Sequence, residues 1–266
     1  MSQLLYFETY QQPTHTEWLL LVHGAGGSIK TWKRQIDQLS AEYNLLIIDL
    51  PGHGNNKDKD INMPTYSFEL IAEKIWEVVD SLKIASVHIV GISLGTILCL
   101  QMRLQRPQNV LSVILPGAIV RLNTKLKILA NVSLTLAKII GYRNFYYMSA
   151  YFMMPRGNHK QSRDVFIKES KAVKLIEFKK WTHLYYHLNV TLHTLFNAKS
   201  TIPHLLIMGS QDHLFLHPAK SYVDLHANAS FSVIQDCGHV VSIEKAAQFN
   251  KICLNFLNTI KQSMPN

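Results

Sequence analysis

The segment Gly91-Ile92-Ser93-Leu94-Gly95 follows an apolar, β-type run from Ser86 to Val90 and precedes a helical stretch from Thr96 to Gln105. A serine at a tight turn between a strand and a helix adopts strained backbone angles. The residues two before and two after it must be nearly free of side chain, so that strand and helix can approach. Glycine at both flanking positions meets that requirement. The segment therefore predicts that Ser93 is a nucleophile and that the Leu94 N–H, at the start of the helix, helps to bind an oxyanion.

Two further residues of catalytic type follow apolar runs that are typical of strands. Asp212 comes after the run from Leu205 to Met208, and His239 comes after the run from Phe231 to Ile234. A histidine can take the proton of a serine hydroxyl, and a carboxylate behind it can fix its tautomer and stabilise its charged form. Ser93, Asp212 and His239 therefore form a candidate triad, in a chain order that differs from those of the chymotrypsin and subtilisin folds.

The sequence resembles the α/β-hydrolase superfamily, in which a triad has this chain order. The segment from Leu19 to Ser28 is similar to the family's strand and H-G-x-G oxyanion loop, and the segment from Asp49 to Gly54 is similar to its D-x-x-G-x-G turn. Gly238 to Phe249 resembles the segment of its catalytic histidine. The resemblance covers residues 17–116 and 203–260. It implies an α/β fold with a mostly parallel central sheet, helices on both faces and a helical cap insertion.

The resemblance also implies a role for each residue of the candidate site. Ser93 would form an acyl-enzyme, His239 would act as general base and general acid, and Asp212 would orient His239. The backbone N–H groups of Ala25 and Leu94 would form the oxyanion hole. Three other residues of catalytic type are interpreted as structural in this family pattern: His23, Asp49 and His53.

Apolar runs and helical patterns alternate along the chain except in one segment. Strands are expected at 4–7, 18–22, 45–48, 87–90, 110–115, 205–208 and 231–234, and helices at 31–39, 66–82, 96–105, 218–225 and 240–261. Such alternation predicts a parallel sheet covered on both faces. Residues 1–117 and 201–266 are therefore predicted to form one core domain. Residues 118–200 contain helical patterns without a clear strand, and we interpret them as the cap.

The predicted cap contains a run of aromatic and methionine residues from Phe145 to Met154. Such flexible and aromatic side chains suit the lining of an acyl pocket or contact with lipid, and they could equally seal the cap onto the core domain. We predict that the substrate contacts Met148 and Phe152 of this run, together with Gly24 and Ile92 beside the oxyanion hole.

Positive charge is concentrated in the same segment. Residues 118–200 contain 14 Lys and Arg residues against three acidic residues, a net charge of +11, while the rest of the chain has 13 basic and 15 acidic residues and the whole chain is +9. A surface of this polarity attracts anionic partners. We expect either peripheral contact of the cap with an anionic membrane surface or a merely solvated helical face.

Several other classes of protein do not fit the sequence. No apolar run reaches the roughly 18 residues of a membrane span, and no basic-then-apolar leader begins the chain, so a cytoplasmic location is expected, with small-molecule esters or lipids as substrates. Three cysteines without metal spacing favour reduced thiols. The glycine-rich segment from Gly24 to Gly27 lacks the pattern of a phosphate or dinucleotide loop, and His183 with His187 lacks the rest of a zinc motif. We therefore predict no cofactor, no metal site and no nucleic-acid binding.

The type of nucleophile selects among the chemistries of the family. Haloalkane dehalogenases and epoxide hydrolases of this fold use aspartate at the turn where this chain has Ser93, and menaquinone-pathway members usually carry arginine where it has Thr96-Ile97-Leu98. The reaction predicted first is hydrolysis of carboxylic esters with an apolar acyl group, as in esterases and lipases. Hydrolysis of thioesters or carbon–carbon bonds, and a ligand receptor without catalysis, remain as alternatives. The oligomeric state stays open.

Overall fold

The computed structural model describes residues 3–59, 61–122 and 124–263. In this part of the chain seven strands form one sheet: β1 (Phe7–Tyr10), β2 (Trp18–Val22), β3 (Asn44–Ile48), β4 (Val87–Gly91), β5 (Val110–Pro116), β6 (His204–Gly209) and β7 (Ala229–Ile234). Their order across the sheet is β1-β3-β2-β4-β5-β6-β7, with β1 antiparallel to β3 and every other pair parallel. The predicted α/β fold with a mostly parallel sheet is confirmed.

The helices lie between and beyond these strands. In chain order they are α1 (Ile36–Ser40), α2 (Phe68–Ser81), α3 (Leu94–Gln105), α4 (Thr124–Ile140), α5 (Tyr142–Met153), α6 (Lys160–Ser170), α7 (Leu175–His183), α8 (Tyr185–Asn197), α9 (Leu216–Leu225), α10 (Val241–Glu244) and α11 (Ala246–Ser263). Short 3-10 turns occur at Ile29–Trp32, Gly54–Asn56, Pro107–Asn109 and Gly157–His159. None of the helices described here is long and apolar enough to cross a bilayer.

Alternating residues of each central strand pack on opposite faces of the sheet. In β2, Leu20 and Val22 belong to the cluster that contains side chains of α2 and α3, whereas Leu19 and Leu21 belong to the cluster that contains side chains of α1 and α11. A strand alternates its side chains in this way, so a strand buried on both faces has a continuous apolar sequence. The two clusters confirm that helices cover both faces of the sheet.

Three elements differ from those expected from the sequence by more than a shift of one or two residues at an end. The first strand occupies Phe7–Tyr10 instead of residues 4–7, because the Tyr6 N–H donates to Asn56 Oδ1 at 2.9 Å instead of extending the strand. The helix expected at 31–39 is a 3-10 turn followed by α1. The helix expected at 240–261 is divided into α10 and α11 at Lys245, whose φ of −134° is not helical.

Helices α4 to α8, residues 124–197, form a helical insertion between β5 and β6. The insertion has its own small apolar cluster, in which Tyr146 and Phe178 are buried. It also contacts the rest of the chain, since Trp181 Nε1 donates to Pro51 O at 2.9 Å. The carboxyl ends of parallel strands are the usual place for a binding site in such a sheet, and the insertion follows the carboxyl end of β5.

Candidate active site

Ser93 occupies the turn between β4 and α3, with φ 55° and ψ −120°. This conformation is strained for a residue with a side chain, and such strain concentrates at functional sites. A Cβ at Gly91 would overlap Gly95 O and Cys99 Sγ, and a Cβ at Gly95 would lie 2.5 Å from Val22 O. The absence of side chains therefore permits the close approach of strand and helix that the sequence predicts for this turn.

The three residues of the candidate triad come together in one chain of hydrogen bonds. His239 Nε2 lies 2.8 Å from Ser93 Oγ, and His239 Nδ1 lies 2.7 Å from Asp212 Oδ2. Asp212 and His239 are buried at 1% and 2% exposure. Since Nδ1 faces a carboxylate, it carries the proton, and Nε2 is left to accept the proton of the serine hydroxyl.

The carboxylate of Asp212 is held as an anion although it is buried. Burial by itself raises the pKa of Asp212, but the facing His239 ring and the N–H groups of Phe215 and Leu214 outweigh this and lower its pKa below the ordinary value. Asp212 Oδ1 accepts hydrogen bonds from Phe215 N at 3.1 Å and from Leu214 N at 3.3 Å. Two backbone donors thus fix Oδ1 of Asp212, and Oδ2 is left to face His239.

The two predicted oxyanion donors line the same cavity as Ser93. Leu94 is the first residue of α3, where a backbone N–H has no partner within the helix and lies at the positive end of the helix dipole. Ala25 lies in the turn that the Gly27 N to Gly24 O hydrogen bond closes at 3.1 Å. A Cβ at Gly24 would lie 3.0 Å from Ile92 O and 3.1 Å from Ser93 Cβ, so the turn packs directly against Ser93.

The residues interpreted as structural hold that turn in place. His23 Nδ1 donates to Gly24 O at 2.7 Å, and its Nε2 accepts from Leu50 N at 2.9 Å. His53 Nε2 accepts from Gly26 N at 3.0 Å. Burial lowers the pKa of His23 to about 4 and that of His53 to about 3. Both rings therefore stay neutral at neutral pH and keep one donor and one acceptor nitrogen.

Asp49 supports the same region and does not contact the triad. Its Oδ1 accepts from Ile29 N at 2.8 Å, and its Oδ2 accepts from Asn55 N at 2.8 Å. The carboxylate is fully buried. Asp49 thus links the turn after β2 to the turn after β3.

A cavity of about 260 Å³ opens at Ser93 between the sheet and the helical insertion. Of the four predicted substrate contacts, Gly24 and Ile92 line it. Met148 and Phe152 do not line it: their side chains are 49% and 45% exposed, and the centroid of the Phe152 ring lies 5.8 Å from that of the His213 ring. That part of the prediction is therefore wrong for this cavity, which α5 lines instead with Phe145, Ser149 and Met153, spaced by four residues along the helix.

Two residues of the site were not found from the sequence. The Phe215 ring lies 5.1 Å from the His239 ring and limits its movement. Glu169 of α6 is the one carboxylate among the residues that line the cavity, and its Oε2 accepts from Ser28 Oγ at 2.7 Å. An acidic residue in a strongly basic segment was an available signal, since residues 118–200 contain only three.

Hydrogen bonds join the helical insertion to the loops that carry Asp212 and His239. His159 Nε2 donates to Gln211 Oε1 at 2.8 Å, next to Asp212. Glu244 accepts from Ser162 Oγ and from Gly238 N, each at 2.6 Å, and Gly238 precedes His239. The insertion thus stabilises the positions of the loops that carry Asp212 and His239 as well as covering the cavity.

Other candidate groups in the sequence lie apart from this site. The ring centroids of His183 and His187 are 6.1 Å apart on the surface of the insertion. Within residues 3–59, 61–122 and 124–263, no group of three or more His, Cys, Asp or Glu residues is arranged to hold a metal ion. The three cysteines are free and buried, and burial raises the pKa of each thiol.

Replacing Gly91 by alanine tests the geometry of the nucleophile turn. The added Cβ would force Gly95 or Cys99 to move, which we expect to cost about 2 kcal/mol of stability and to lower Tm by about 6 °C. Displacement of Ser93 should also reduce kcat by about 100-fold. The matched control is Gly157→Ala, because a Cβ at Gly157 meets nothing within 4 Å. Equal Tm and kcat values for the two variants would contradict the requirement for glycine at 91.

Comparisons with known proteins agree with this geometry. A family model described as alpha/beta hydrolase fold matches residues 17–246. Two curated relatives are named "Putative carbamate hydrolase RutD". That of Stutzerimonas stutzeri is 28% identical over 244 residues, covering 90% of this chain and 91% of its own length, and that of Pantoea ananatis is 24% identical over 253 residues, covering 93% and 90%.

Among solved structures, a carboxylesterase of Nitrososphaera gargenis superposes with a TM-score of 0.77 at 19% identity and covers 97% of this chain and 96% of its own. Likeness at this identity concerns the fold. The match of the family model over residues 17–246, together with the seven-stranded sheet and the serine at the end of β4, shows that this chain belongs to the alpha/beta hydrolase fold family.

Proposed function

We propose that this hydrolase cleaves carboxylic esters with an apolar acyl group through an acyl-enzyme on Ser93. The observation that carries the proposal is the hydrogen-bonded chain from Ser93 through His239 to Asp212, at 2.8 Å and 2.7 Å, at the opening of an apolar cavity. A serine hydroxyl is a weak nucleophile without such a base, which takes its proton as the oxygen attacks the carbonyl carbon of a bound ester.

The proposed reaction uses each of these groups in turn. Ser93 Oγ attacks the carbonyl carbon while its proton passes to His239 Nε2, and the N–H groups of Ala25 and Leu94 stabilise the negative oxygen of the tetrahedral intermediate. The bond to the alcohol oxygen then breaks, and His239 returns the proton to it. Water attacks the acyl-enzyme with His239 as base, which releases the carboxylic acid and restores the Ser93 hydroxyl.

The residues around the cavity favour an apolar acyl group. Its walls are mainly side chains of α5 and α6 and of the segments around β5 and α10: Phe145, Tyr146, Met153, Val165, Phe166, Ile119 and Ile243. Burial of an acyl chain there stabilises the complex by about 0.8 kcal/mol for each methylene group. Selectivity for chain length should therefore appear as a rise in kcat/KM until the chain exceeds the cavity of about 260 Å³.

Glu169 should exclude substrates that carry a second, free carboxylate near the cavity. Two like charges about 8 Å apart repel by roughly 2 kcal/mol at an effective dielectric constant of 20. We therefore expect Glu169→Gln to raise kcat/KM for the p-nitrophenyl monoester of a dicarboxylic acid by about tenfold, while p-nitrophenyl hexanoate is unaffected. Glutamine keeps an acceptor for Ser28 Oγ.

The matched control for this variant is Glu73→Gln, which removes a carboxylate from the exposed side of α2. Equal effects of the two substitutions on the charged substrate would show that only the net charge of the protein matters. A loss of activity toward both substrates in Glu169→Gln would mean instead that Glu169 supports the fold of the cavity.

Carbamate esters are a second candidate substrate class because relatives similar over about 90% of this chain are named for carbamate hydrolysis. A panel of p-nitrophenyl esters of increasing chain length, matched thioesters and a matched carbamate, assayed for repeated turnover, separates the candidates. Highest kcat/KM on medium-chain esters supports the proposal. Turnover of only the thioesters, or of only the carbamate, would show that this class is the substrate in place of carboxylic esters. Probe labelling of Ser93 without turnover of any member of this panel, or of a diketone that tests carbon–carbon bond hydrolysis, would favour a ligand receptor.

A further inference from the structure

Exposed apolar side chains are concentrated in the helical insertion. Of the fourteen large apolar side chains that are most exposed in the described part of the chain, eleven lie between residues 124 and 197. Single exposed apolar residues are ordinary on a protein surface, but a concentration of them marks an interaction site. The exposed members are Ile128, Val132, Ile139, Tyr147, Met148, Tyr151, Phe152, Leu175, Ile176, Tyr186 and Val190.

Helical spacing places most of these residues in stripes. On α4, Ile128, Val132 and Ile139 follow one another at intervals of four and seven residues and are 58–78% exposed. On α5, Tyr147 and Tyr151 are four residues apart, and their rings lie 4.9 Å from each other. Residues at these intervals share one face of a helix. Since α4 packs against α5, the two stripes belong to adjacent helices.

Helix α5 separates this outer surface from the catalytic cavity. Phe145, Ser149 and Met153 line the cavity, whereas Tyr147 and Tyr151 lie on the exposed side of the same helix. An apolar molecule that reaches the outer side of α5 is therefore separated from the catalytic cavity by about one helix diameter, roughly 10 Å. A substrate with an acyl chain could pass from such a surface to the cavity over a short distance.

Cationic groups surround a second groove on the outer side of α5 and α6. This groove of about 480 Å³ is lined by Arg143, Asn144, Tyr147 and Lys171, and Tyr146 forms a wall between it and the catalytic cavity. The groove thus presents two cations and an amide group next to exposed aromatic and aliphatic residues. Such a set of groups fits the phosphate of a lipid head group at the boundary between water and acyl chains.

The charge of the segment argues against a second copy of this surface as the occupant. Residues 118–200 carry a net charge of +11, so two such faces would repel each other, whereas the rest of the chain is nearly neutral. We propose that the outer face of α4 and α5 docks on an anionic lipid bilayer, with a lipid phosphate between Arg143 and Lys171. This docking goes beyond the proposed hydrolysis, because lipid binding is measured without turnover.

The test is co-sedimentation of the full chain with vesicles of phosphatidylglycerol and of phosphatidylcholine, from low salt to about 0.15 M salt, where the Debye length is about 8 Å. We expect at least tenfold stronger binding to phosphatidylglycerol and weaker binding at the higher salt concentration. An apolar variant combines Ile128→Ser, Val132→Ser and Ile139→Ser, and a charge variant combines Arg143→Gln and Lys171→Gln. Each should reduce binding by about tenfold.

Matched controls alter the same chemistry outside the helical insertion. Leu70→Ser with Leu225→Ser removes side chains that are 44% and 68% exposed, and Lys33→Gln with Lys251→Gln removes two exposed cations. Their binding should equal that of the unmodified protein. Circular dichroism and Tm show that each variant is folded, independently of any hydrolytic activity.

Several outcomes would overturn the proposal. The proposal would be overturned if the protein bound neither type of vesicle, or bound both equally and without sensitivity to salt. It would also be overturned if the control variants lost as much vesicle binding as the apolar and charge variants. Self-association seen by light scattering and removed by the three serine substitutions, without vesicle binding, would assign the face to a second copy. Release from vesicles by inorganic phosphate at constant ionic strength would mean that the groove binds free phosphate instead of a lipid surface.

Discussion

Replacing Ser93 by alanine should reduce kcat for ester hydrolysis by about a million-fold and abolish labelling by a fluorophosphonate probe. The substitution removes the oxygen that lies 2.8 Å from His239 Nε2, so no acyl-enzyme can form. The remaining activity should equal only the contribution of binding and of the oxyanion donors, Ala25 and Leu94. Single-turnover kinetics and mass spectrometry of the labelled protein measure the two effects.

The Ser93→Ala variant should keep the fold. Alanine fits wherever serine does, and the serine hydroxyl is not part of the apolar clusters on either face of the sheet. Circular dichroism and a Tm close to that of the unmodified protein check this expectation. Turnover near the original rate in a folded Ser93→Ala variant would rule out the proposed mechanism.

Replacing Asp212 by asparagine should lower kcat by about 10,000-fold with little change in KM. The N–H groups of Phe215 and Leu214 will hold the asparagine carbonyl oxygen at the Oδ1 position, which turns the amide NH₂ toward His239. His239 Nδ1 must then accept a hydrogen bond, so the ring proton moves to Nε2. A protonated Nε2 cannot take the proton of the Ser93 hydroxyl.

The matched control is Asp49→Asn, because Asp49 is equally buried and bound to backbone N–H groups but does not contact the triad. Loss of its charge in a buried site should lower stability by about 2 kcal/mol, while kcat of the folded variant stays within a few-fold of the original. Reversed phenotypes, with Asp49→Asn inactive and Asp212→Asn unaffected in kcat, would show that the wrong carboxylate has been assigned.

The candidate triad could be predicted because the sequence next to each of its residues has a recognisable pattern. Ser93 stands between two glycines that its turn requires, and Asp212 follows the buried strand β6. His239 follows the run from Phe231 to Ile234, which forms the carboxyl part of the partly buried strand β7. In a parallel sheet the carboxyl ends of all strands lie at one edge. Residues more than 100 positions apart in sequence could therefore be predicted to meet without knowledge of any side-chain contact.

The residues of α5 that line the cavity could not be predicted in the same way. The run from Phe145 to Met154 is apolar or aromatic on nearly every side, so helical periodicity does not distinguish an inner face from an outer one. Packing decides the matter. Tyr146 is buried against the rings of Phe166 and Phe178, which turns Met148 and Phe152 to the outside.

The sequence by itself determined the order of strands and helices along the chain, the turn that carries Ser93, and the choice of Asp212 and His239 as its partners. These features depend on sequence patterns and backbone geometry within a few positions of each motif. Only the tertiary structure decided which residues of α5 line the cavity, that Glu169 lies within it, and that the exposed Tyr147 lines one groove with Arg143 and Lys171. The physical reason is that these features depend on how helices of the insertion rotate and pack against one another, and side chains that are distant in sequence set that packing.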